Sequence, residues 1–266
     1  MYSAPRLAFK YLRYYLSSLN GRGHGTHSPF VFEFITEVLN DRRNFYSYQQ
    51  IESVRQFLLH DERDLLIEDF GAGSRVIKKK NRKVSAIAHS SLKTKKIGQL
   101  LFRMADHYRP AYMLEIGSSL GITSSYLASA DLSAKLVTLE GSPEVASIAR
   151  ETFSKLKLKN IELVEGNFDE TLAKVLGTHF PQLDLAFIDG NHRYEPAIRY
   201  FQQLLEKSND HTIILVDDIH WSKEMEEAWQ WIQRHDEVTM TIDLFFIGIV
   251  FLRKEFIAKQ HFTIRF

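Results

Sequence analysis

The segment MLEIGSSLGIT, residues 113–123, decides the fold of this sequence. The apolar run at 111–116 predicts a buried strand, Gly117 and Gly121 frame the turn after it, and a helix is predicted from Ile122. Glycines in such a turn let the backbone approach a ligand closely. We therefore interpret the segment as the loop after the first strand of a parallel α/β sheet, where such sheets bind nucleotide-like ligands.

A second segment, IEDFGAGSR at residues 67–75, has a similar order of apolar residues, carboxylates and glycines. Its glycines are followed by SRVIKKKNRK rather than by a helix start, and no acidic residue occurs in 70–105. After the segment 113–123, by contrast, Glu140 ends the next predicted strand, 23 residues after Gly117. A carboxylate at this position can bind ribose hydroxyls. We interpret 113–123 as the cofactor loop, and 67–75 as an exposed surface turn or a part of a substrate-side cap.

The spacing of the loop glycines narrows the class of ligand. The pattern is G-x-x-x-G, without the middle glycine of G-x-G-x-x-G and without the lysine of a phosphate-binding P-loop. This spacing favours a nucleoside cofactor that carries no pyrophosphate.

From about residue 110 the chain alternates regularly between strand and helix patterns. Five predicted strands are each followed by a helical pattern, which indicates a parallel sheet with helices on both faces. These strands are 111–116, 135–140, 160–166, 183–189 and 211–218. Two further strands, 237–243 and 244–253, are expected to form an antiparallel edge pair. We predict a cofactor-binding domain over 109–266 that carries a helical N-terminal cap over 1–108 rather than a second domain. The predicted helices of the cap are 5–19, 29–39, 48–60 and 92–108.

The composition is that of an ordinary globular protein, with 266 residues, 44% apolar and 25% charged. The net charge of +1 gives no argument for nucleic acid or for an anionic membrane, and the absence of cysteine excludes disulfides and thiolate sites. The most apolar run, 244–252, is about half as long as a membrane-spanning helix. The stretch at 1–18 is predicted to be an amphipathic helix packed on the protein rather than a membrane anchor. We expect a cytoplasmic protein.

Five motifs follow one another in the chain: LEIGSSLG, VTLEGSP, LVEGNFDE, LAFIDGNHRYEP and ILVDDIHW. With these motifs the chain resembles the class I S-adenosylmethionine-dependent methyltransferases over roughly residues 90–253. The resemblance implies the Rossmann-like α/β fold of that family, a seven-stranded sheet whose last strand is antiparallel. The antiparallel pair predicted at 237–253 agrees with this arrangement.

The resemblance also implies a set of residues that bind S-adenosylmethionine. In their order along the chain, these residues are Glu115, Gly117, Ser118, Gly121, Glu140, Gly166, Asn167, Phe168 and Asp189. The first two would line the methionine part of the cofactor, and the next two would form the turn. Glu140 would hold the ribose hydroxyls, and the three residues after it would flank the adenine.

More narrowly, the second half is similar to small O-methyltransferases of the catechol and sugar type. In those relatives, carboxylates at the ends of the fourth and fifth strands hold one divalent cation, usually Mg²⁺. The corresponding residues here are Asp189, Asp217 and Asp218. His192, three residues after Asp189, stands where catechol-type enzymes often carry a lysine base. Together with Asp218 in place of an asparagine, this departure puts the substrate class in doubt more than the reaction.

The chemistry of methyl transfer explains why such residues are needed. A hydroxyl oxygen is a weak nucleophile unless it loses its proton, and a hard cation held by carboxylates lowers its pKa and orients it. An imidazole with an ordinary pKa of roughly 6.5 could accept the proton. Asp189 and His192 are therefore the predicted catalytic residues.

Plainer interpretations of the same residues stay open. Asp217 and Asp218 could cap the helix after them, and His192 could be a turn residue that binds backbone groups. Trp221 could line a substrate pocket, whereas Met225 and Trp229 continue its four-residue spacing and are expected to pack in the core. The glycine- and histidine-rich stretch at 20–30 could be an active-site lid or a connector in which Ser28 caps a helix at Pro29.

Three functions are compatible with the sequence. The first is a methyltransferase that acts on a hydroxyl group of a small molecule, as a monomer or a homodimer and without a membrane partner. The second is a metal-free methyltransferase that docks RNA or protein on the basic segment 75–96. The third is a non-catalytic protein that keeps the cofactor pocket.

Overall fold

The computed structural model describes residues 1–23, 28–69 and 78–266. Its ten α-helices are α1 (Ala4–Ser17), α2 (Pro29–Glu33), α3 (Tyr46–Leu59), α4 (Val84–Ser91), α5 (Lys95–Tyr108), α6 (Ile122–Ala130), α7 (Pro143–Lys155), α8 (Phe168–His179), α9 (Tyr194–Leu205) and α10 (Lys223–Arg234). A π-helical turn over Phe34–Leu39 continues α2. Within the described ranges no helix has both the length and the apolar character needed to cross a bilayer.

The ten strands of these ranges are β1 (Asp64–Asp69), β2 (Lys78–Lys83), β3 (Tyr112–Ile116), β4 (Lys135–Glu140), β5 (Ile161–Glu165), β6 (Leu183–Ile188), β7 (Ser208–Asp217), β8 (Met240–Asp243), β9 (Ile247–Phe251) and β10 (Gln260–Thr263). The last eight form the mostly parallel central sheet, and β1 pairs with β2 separately. The predicted α/β fold is therefore confirmed, with eight strands in the described sheet instead of seven.

The chain divides into two units, each described by itself below. Unit A comprises Met1–Asp41 and Phe180–Phe266, and unit B comprises Arg42–His179. The predicted boundary between residues 108 and 109 stays a prediction.

Unit B contains β3, β4 and β5, paired parallel in that order. Its helices α3, α4, α5, α6 and α7 bury an apolar cluster in which the ring of Tyr48 lies 5.0 Å from Phe102 and 5.8 Å from Tyr126. Such aromatic packing holds α3 and α5 against α6, the helix that follows the cofactor loop. The helix that follows the cofactor loop is therefore packed in an apolar core.

Unit A contains β6 and β7 as a parallel pair, and β9 runs antiparallel to β7. The antiparallel pairing of β8 with β9 agrees with the prediction for 237–253. That pair is not at the edge, however, because β10 adds parallel to β8. The segment QHFT of β10 is short and mostly polar, so its sequence carries no strand signal.

The N-terminal part also contains elements that the sequence does not predict. The antiparallel pair of β1 and β2 places Asp64 opposite Lys83, in a segment whose many lysines disfavour strand prediction. Residues 24–27 and 70–77 lie outside the described residues. The interpretations of the 20–30 stretch as a lid and of IEDFGAGSR as a surface turn therefore stay predictions, although Ser28 does accept a hydrogen bond from the N–H of Val31 as a helix cap.

Candidate functional site

The cofactor loop predicted at 113–123 forms a tight turn directly after β3. Gly117 has φ 102°, and the N–H groups of Gly117 and Ser118 both donate to the carbonyl oxygen of Leu139, at 3.0 Å each. The N–H of Gly121 donates to the carbonyl oxygen of Ser118 at 2.9 Å, which closes the turn before α6. The two strand ends β3 and β4 are therefore joined by backbone hydrogen bonds at the loop.

Gly121 satisfies two demands of this turn at once. Its φ of 83° lies in the left-handed region, where side chains are disfavoured. A Cβ atom built there would lie 2.6 Å from Cε1 of Phe153 and 3.2 Å from Cα of Ala149 on α7. The glycine therefore allows the start of α6 to approach α7 closely.

Glu140 lies at the end of β4 with its carboxylate oriented by backbone amides. Oε2 accepts the N–H of Ser119 at 2.9 Å, and Oε1 accepts the N–H of Ser142 at 3.0 Å. Burial raises the pKa of Glu140, although the N–H groups of Ser142 and Ser119 lower it in part. Each oxygen keeps a second lone pair, so the carboxylate can accept two ribose hydroxyl groups.

The loop also offers an unused hydrogen-bonding group. Among the described residues, the buried hydroxyl oxygen of Ser118 has no hydrogen-bond partner. A buried polar atom without a partner is costly unless a ligand or water satisfies it. Together with the carboxylate of Glu140, this hydroxyl fits a nucleoside cofactor such as S-adenosylmethionine.

Glu115, by comparison, is fully buried inside β3. Its Oε2 accepts hydrogen bonds from the hydroxyls of Ser124 and, at 2.6 Å, Thr138. Burial raises the pKa of Glu115, whereas the hydroxyls of Ser124, Thr123 and Thr138 lower it. These contacts fix the start of α6 to β3 and β4, and the predicted contact of Glu115 with the methionine part stays a prediction.

The loop after β5 lies beside Glu140. The N–H of Gly166 donates to the carbonyl oxygen of Glu140 at 2.9 Å, and the φ of 134° at Gly166 requires a glycine. Asn167 is exposed and its Oδ1 accepts the N–H of Asp169, while the half-buried Phe168 begins α8. The structure thus brings the predicted ribose and adenine residues together.

In unit A, three predicted residues meet after strands β6 and β7. Asp189, His192 and Asp217 each offer one oxygen or nitrogen atom, and these atoms lie within 4.8 Å of one another. Nε2 of His192 is 3.8 Å from Oδ1 of Asp189, and Asp217 is buried. We refer to these three residues as the Asp–His–Asp cluster.

Asp218, the third predicted carboxylate ligand, lies beside this cluster. Its Oδ2 is 4.0 Å from Nδ1 of His192. Its φ is 54°, and its N–H donates to the carbonyl oxygen of Phe246 at 2.7 Å. The strained backbone therefore directs the chain away from β7 immediately after Asp217.

The donor set of the cluster fits a divalent cation. Ligands on opposite sides of an octahedral ion are about 4 Å apart, so small side-chain movements would bring the three donors to bonding distance. Two carboxylates suit Mg²⁺, and an imidazole nitrogen favours a transition metal such as Co²⁺ or Zn²⁺. Which of the cations binds more tightly depends on whether His192 is a ligand.

Of the plainer interpretations, helix capping by the aspartates is wrong and core packing on α10 is confirmed. Helix α10 is capped by Ser222, whose Oγ accepts the N–H of Met225 at 3.1 Å, so Asp217 and Asp218 are not its capping residues. Met225 and Trp229 are buried, which confirms core packing for both. Trp221 is half-buried.

Sequence reasoning missed Ser119. This residue has φ 47°, donates its N–H to Glu140, and its hydroxyl lies 2.9 Å from the hydroxyl of Ser91 on α4. A left-handed serine leaves no signal in a sequence, because glycine is the residue that such positions favour.

The comparisons with known proteins agree with this geometry. Residues 114–219 match a family model described as a methyltransferase domain. Over 113 residues the chain is 29% identical to a probable cobalt-precorrin-6B C(15)-methyltransferase (decarboxylating) from Sulfolobus acidocaldarius. This match covers 41% of the chain and 54% of that protein, so the chain spans about half the length of the curated relative it matches.

Solved structures show the same fold. The O-methyltransferase TomG from Streptomyces achromogenes, involved in tomaymycin synthesis and solved with S-adenosylmethionine, has a TM-score of 0.52 and 20% identity, covering 61% of this chain and 82% of that one. An O-methyltransferase from Bacillus cereus, solved with S-adenosylhomocysteine, has a TM-score of 0.57 and 18% identity, covering 84% and 97%. Residues 114–219 therefore resemble a methyltransferase domain, and the chain has the fold of solved O-methyltransferases. The predicted class I resemblance is confirmed.

Proposed function

We propose that this protein is an enzyme that transfers the methyl group of S-adenosylmethionine to a hydroxyl oxygen of a small molecule, assisted by a divalent cation. The observation that carries the proposal is the Asp–His–Asp cluster, two carboxylates and an imidazole with donor atoms within 4.8 Å, in a chain with a methyltransferase domain. Methyl transfer to oxygen needs a proton acceptor and benefits from such a cation.

In unit B, the chain's own groups would bind the cofactor. Glu140 would accept the two ribose hydroxyls, since its oxygens are already oriented by the N–H groups of Ser119 and Ser142. Glu115 and Gly117 would line the methionine part, and Ser118 and Gly121 would form the turn. Phe168 would pack against the adenine beside Gly166. These roles are predictions from the resemblance that the geometry of the loop supports.

In unit A, Asp189 and Asp217 would hold the cation, with Asp218 beside them. A cation held there would lower the pKa of a substrate hydroxyl. His192 would accept the hydroxyl proton at one ring nitrogen, or would complete the set of ligands. The deprotonated oxygen would attack the methyl carbon in line with the C–S bond, which would break and release S-adenosylhomocysteine as a neutral thioether.

A cytoplasmic location is part of the proposal and is based on the sequence composition alone. Docking of RNA or protein on the basic segment 75–96 stays an alternative prediction. In the described part of that segment, Lys83 forms an ion pair with Glu62, and Arg82 donates to Ser90. The Glu62 carboxylate neutralises the charge of Lys83, whereas Arg82 keeps its charge, so these contacts do not favour a nucleic-acid surface over a small-molecule function.

The test begins with isothermal titration calorimetry of S-adenosylhomocysteine binding, in the presence of a chelator. We expect binding by the protein without metal, because the proposed cofactor residues in unit B involve no cation. Transfer from radiolabelled S-adenosylmethionine is then measured with catechols and sugar hydroxyls as acceptors, with Mg²⁺, Co²⁺ or chelator. We expect transfer that the chelator abolishes and either cation restores.

The outcomes separate the alternatives. If S-adenosylhomocysteine does not bind, the proposed activity is excluded. Binding without transfer to any acceptor favours a non-catalytic protein. Transfer that persists in chelator and is unchanged in the Asp217→Asn variant excludes the role of the cation.

A further inference from the structure

Helix α1 carries three stripes of side chains, each repeating with the spacing of one helix face. The inner stripe is Leu7, Tyr11 and Tyr14, and it packs within unit A. The hydroxyl of the buried Tyr14 donates to the carbonyl oxygen of Ile264, and the ring of Tyr11 lies 5.0 Å from that of Phe245. This stripe accounts for the packing of the helix on the protein.

The second stripe points to solvent although it is apolar. Phe9, Leu12 and Leu16 are 69%, 53% and 71% exposed, and their spacing puts them on one face of the helix. Single exposed apolar residues are common, but three on one face form a continuous patch of the kind that marks a contact surface. We refer to these three residues as the apolar stripe.

The third stripe is cationic and lies beside the apolar stripe. Arg6, Lys10 and Arg13 occur at the same helical spacing and line a groove of about 680 Å³ that α10 also borders. Lys10 forms an ion pair of 2.7 Å with Glu226, whereas the two arginines are exposed. No Asp or Glu occurs in the first 32 residues of the chain, so α1 itself carries no acidic side chain.

We propose that α1 docks on the surface of an anionic phospholipid bilayer. The apolar stripe would enter the boundary between headgroups and acyl chains, and Arg6 and Arg13 would contact lipid phosphates. At 14 residues the helix is about 21 Å long, so the stripe can lie flat along the membrane surface without crossing it. This interaction goes beyond the proposed methyl transfer and departs from the expectation of no membrane partner.

Charge decides between a bilayer and a second copy of the chain. Two α1 helices in a symmetric dimer would bring their cationic stripes together, and the like charges would repel. An anionic surface complements the same charges. A bilayer requires only a linear apolar face flanked by cations, and α1 presents such a face.

The test is flotation of the purified full chain with vesicles of phosphatidylcholine, with and without phosphatidylglycerol. We expect flotation only with the anionic vesicles and its loss in 0.5 M salt, where the Debye length falls to about 4 Å. Arg6→Gln with Arg13→Gln should weaken partitioning about 25-fold, since each cation near an anionic surface contributes about five-fold. Leu12→Ser with Leu16→Ser should weaken it more than about ten-fold.

Matched controls keep the result specific. Ile257→Ser removes a fully exposed apolar side chain elsewhere, and Lys159→Gln with Lys174→Gln removes two exposed cations. Neither should change partitioning. Binding of S-adenosylhomocysteine by every variant would show that the fold is kept, and circular dichroism would serve if the cofactor does not bind.

Three outcomes would overturn the proposal. The first is equal flotation with neutral and anionic vesicles, and the second is flotation that neither α1 variant changes. The third is a stable dimer, measured by sedimentation, that dissociates when Leu12 and Leu16 are changed to serine.

Discussion

The backbone N–H of Ser119 donates a hydrogen bond of 2.9 Å to the carboxylate of Glu140, which joins the turn after β3 to the end of β4. The carboxylate is therefore held in place before any ligand binds, and Ser142 fixes its other oxygen. A ligand that hydrogen-bonds to Glu140 does not have to order this side chain, so less binding free energy is lost.

Replacing Glu140 with glutamine should weaken the binding of S-adenosylhomocysteine by about ten- to a hundred-fold. The change keeps the size of the side chain but removes the charge that strengthens hydrogen bonds from ribose hydroxyls. Titration calorimetry measures the effect. Glu165→Gln is the matched control, because Glu165 ends the next strand and pairs with Arg150 instead. Equal affinity of both variants and the wild type would contradict a role of Glu140 in ribose binding.

The same residue predicts a pH dependence. Burial raises the pKa of Glu140 above its ordinary value of 4.5. Because the ionised form of Glu140 binds the ribose, cofactor affinity should fall as the pH decreases through this raised pKa. The fall should occur at a higher pH than for a glutamate with the ordinary pKa. The stability of the cofactor-free protein should change in the opposite direction. Near the raised pKa the folded state binds more protons than the unfolded state, so the free energy of unfolding falls as the pH rises.

Calorimetric titrations at several pH values between about 4 and 8 would show this trend. The Glu140→Gln variant should bind weakly with little dependence on pH over the same range. A wild-type affinity that is constant down to pH 5, or a variant with the same pH profile as the wild type, would contradict the assignment.

The sequence predicts much of this fold, for reasons that particular elements make plain. The bounds predicted for β4 and the start predicted for α6 at Ile122 agree with the structure, because an apolar run bounded by polar residues and glycines ahead of a helix are both local signals. Strands β2 and β10 could not be predicted. The first is almost entirely charged and the second has four residues, so their pairing depends on the neighbouring strand.

The candidate site likewise contains some residues that the sequence predicts and others that it does not. The turn at Gly121 could be predicted because left-handed positions favour glycine, which is visible in the sequence. Ser119 is also left-handed, but a serine gives no such signal. The convergence of His192 with Asp189 and Asp217 depends on where β6 and β7 end in space. The sequence suggests Asp218 as the third ligand, whereas the structure brings the donor atoms of His192, Asp189 and Asp217 within 4.8 Å of one another.

Replacing Gly121 with alanine should destabilise the protein by about 2–4 kcal/mol. The alanine would have to adopt a disfavoured φ of 83°, and its Cβ would lie 2.6 Å from the ring of Phe153. Gly177→Ala is the control, because no atom lies within 4 Å of a Cβ there and the residue is in α8. That variant should be more stable by about 0.5–1 kcal/mol. Urea unfolding measures both, and equal stabilities would contradict the close approach of α6 to α7.

Replacing Asp217 with asparagine should lower the affinity for Mg²⁺ and for Co²⁺ by more than about ten-fold, because the buried carboxylate supplies a charged oxygen to the cluster. The matched control is Asp243→Asn. That aspartate is also buried at a strand end, but it accepts a hydrogen bond from His220 and lies outside the cluster. Calorimetry for Mg²⁺ and visible absorption for Co²⁺ measure the two affinities.

His192→Asn distinguishes a ligand from a base. If the imidazole binds the cation, Co²⁺ affinity should fall far more than Mg²⁺ affinity, because nitrogen ligands favour the transition metal. If His192 only accepts the substrate proton, both affinities should persist while the transfer rate falls by about 100-fold or more. The distances of 3.8 Å to Asp189 and 4.0 Å to Asp218 place its two ring nitrogens between carboxylates, which favours the first result. Unchanged affinities together with an unchanged rate would remove His192 from the site.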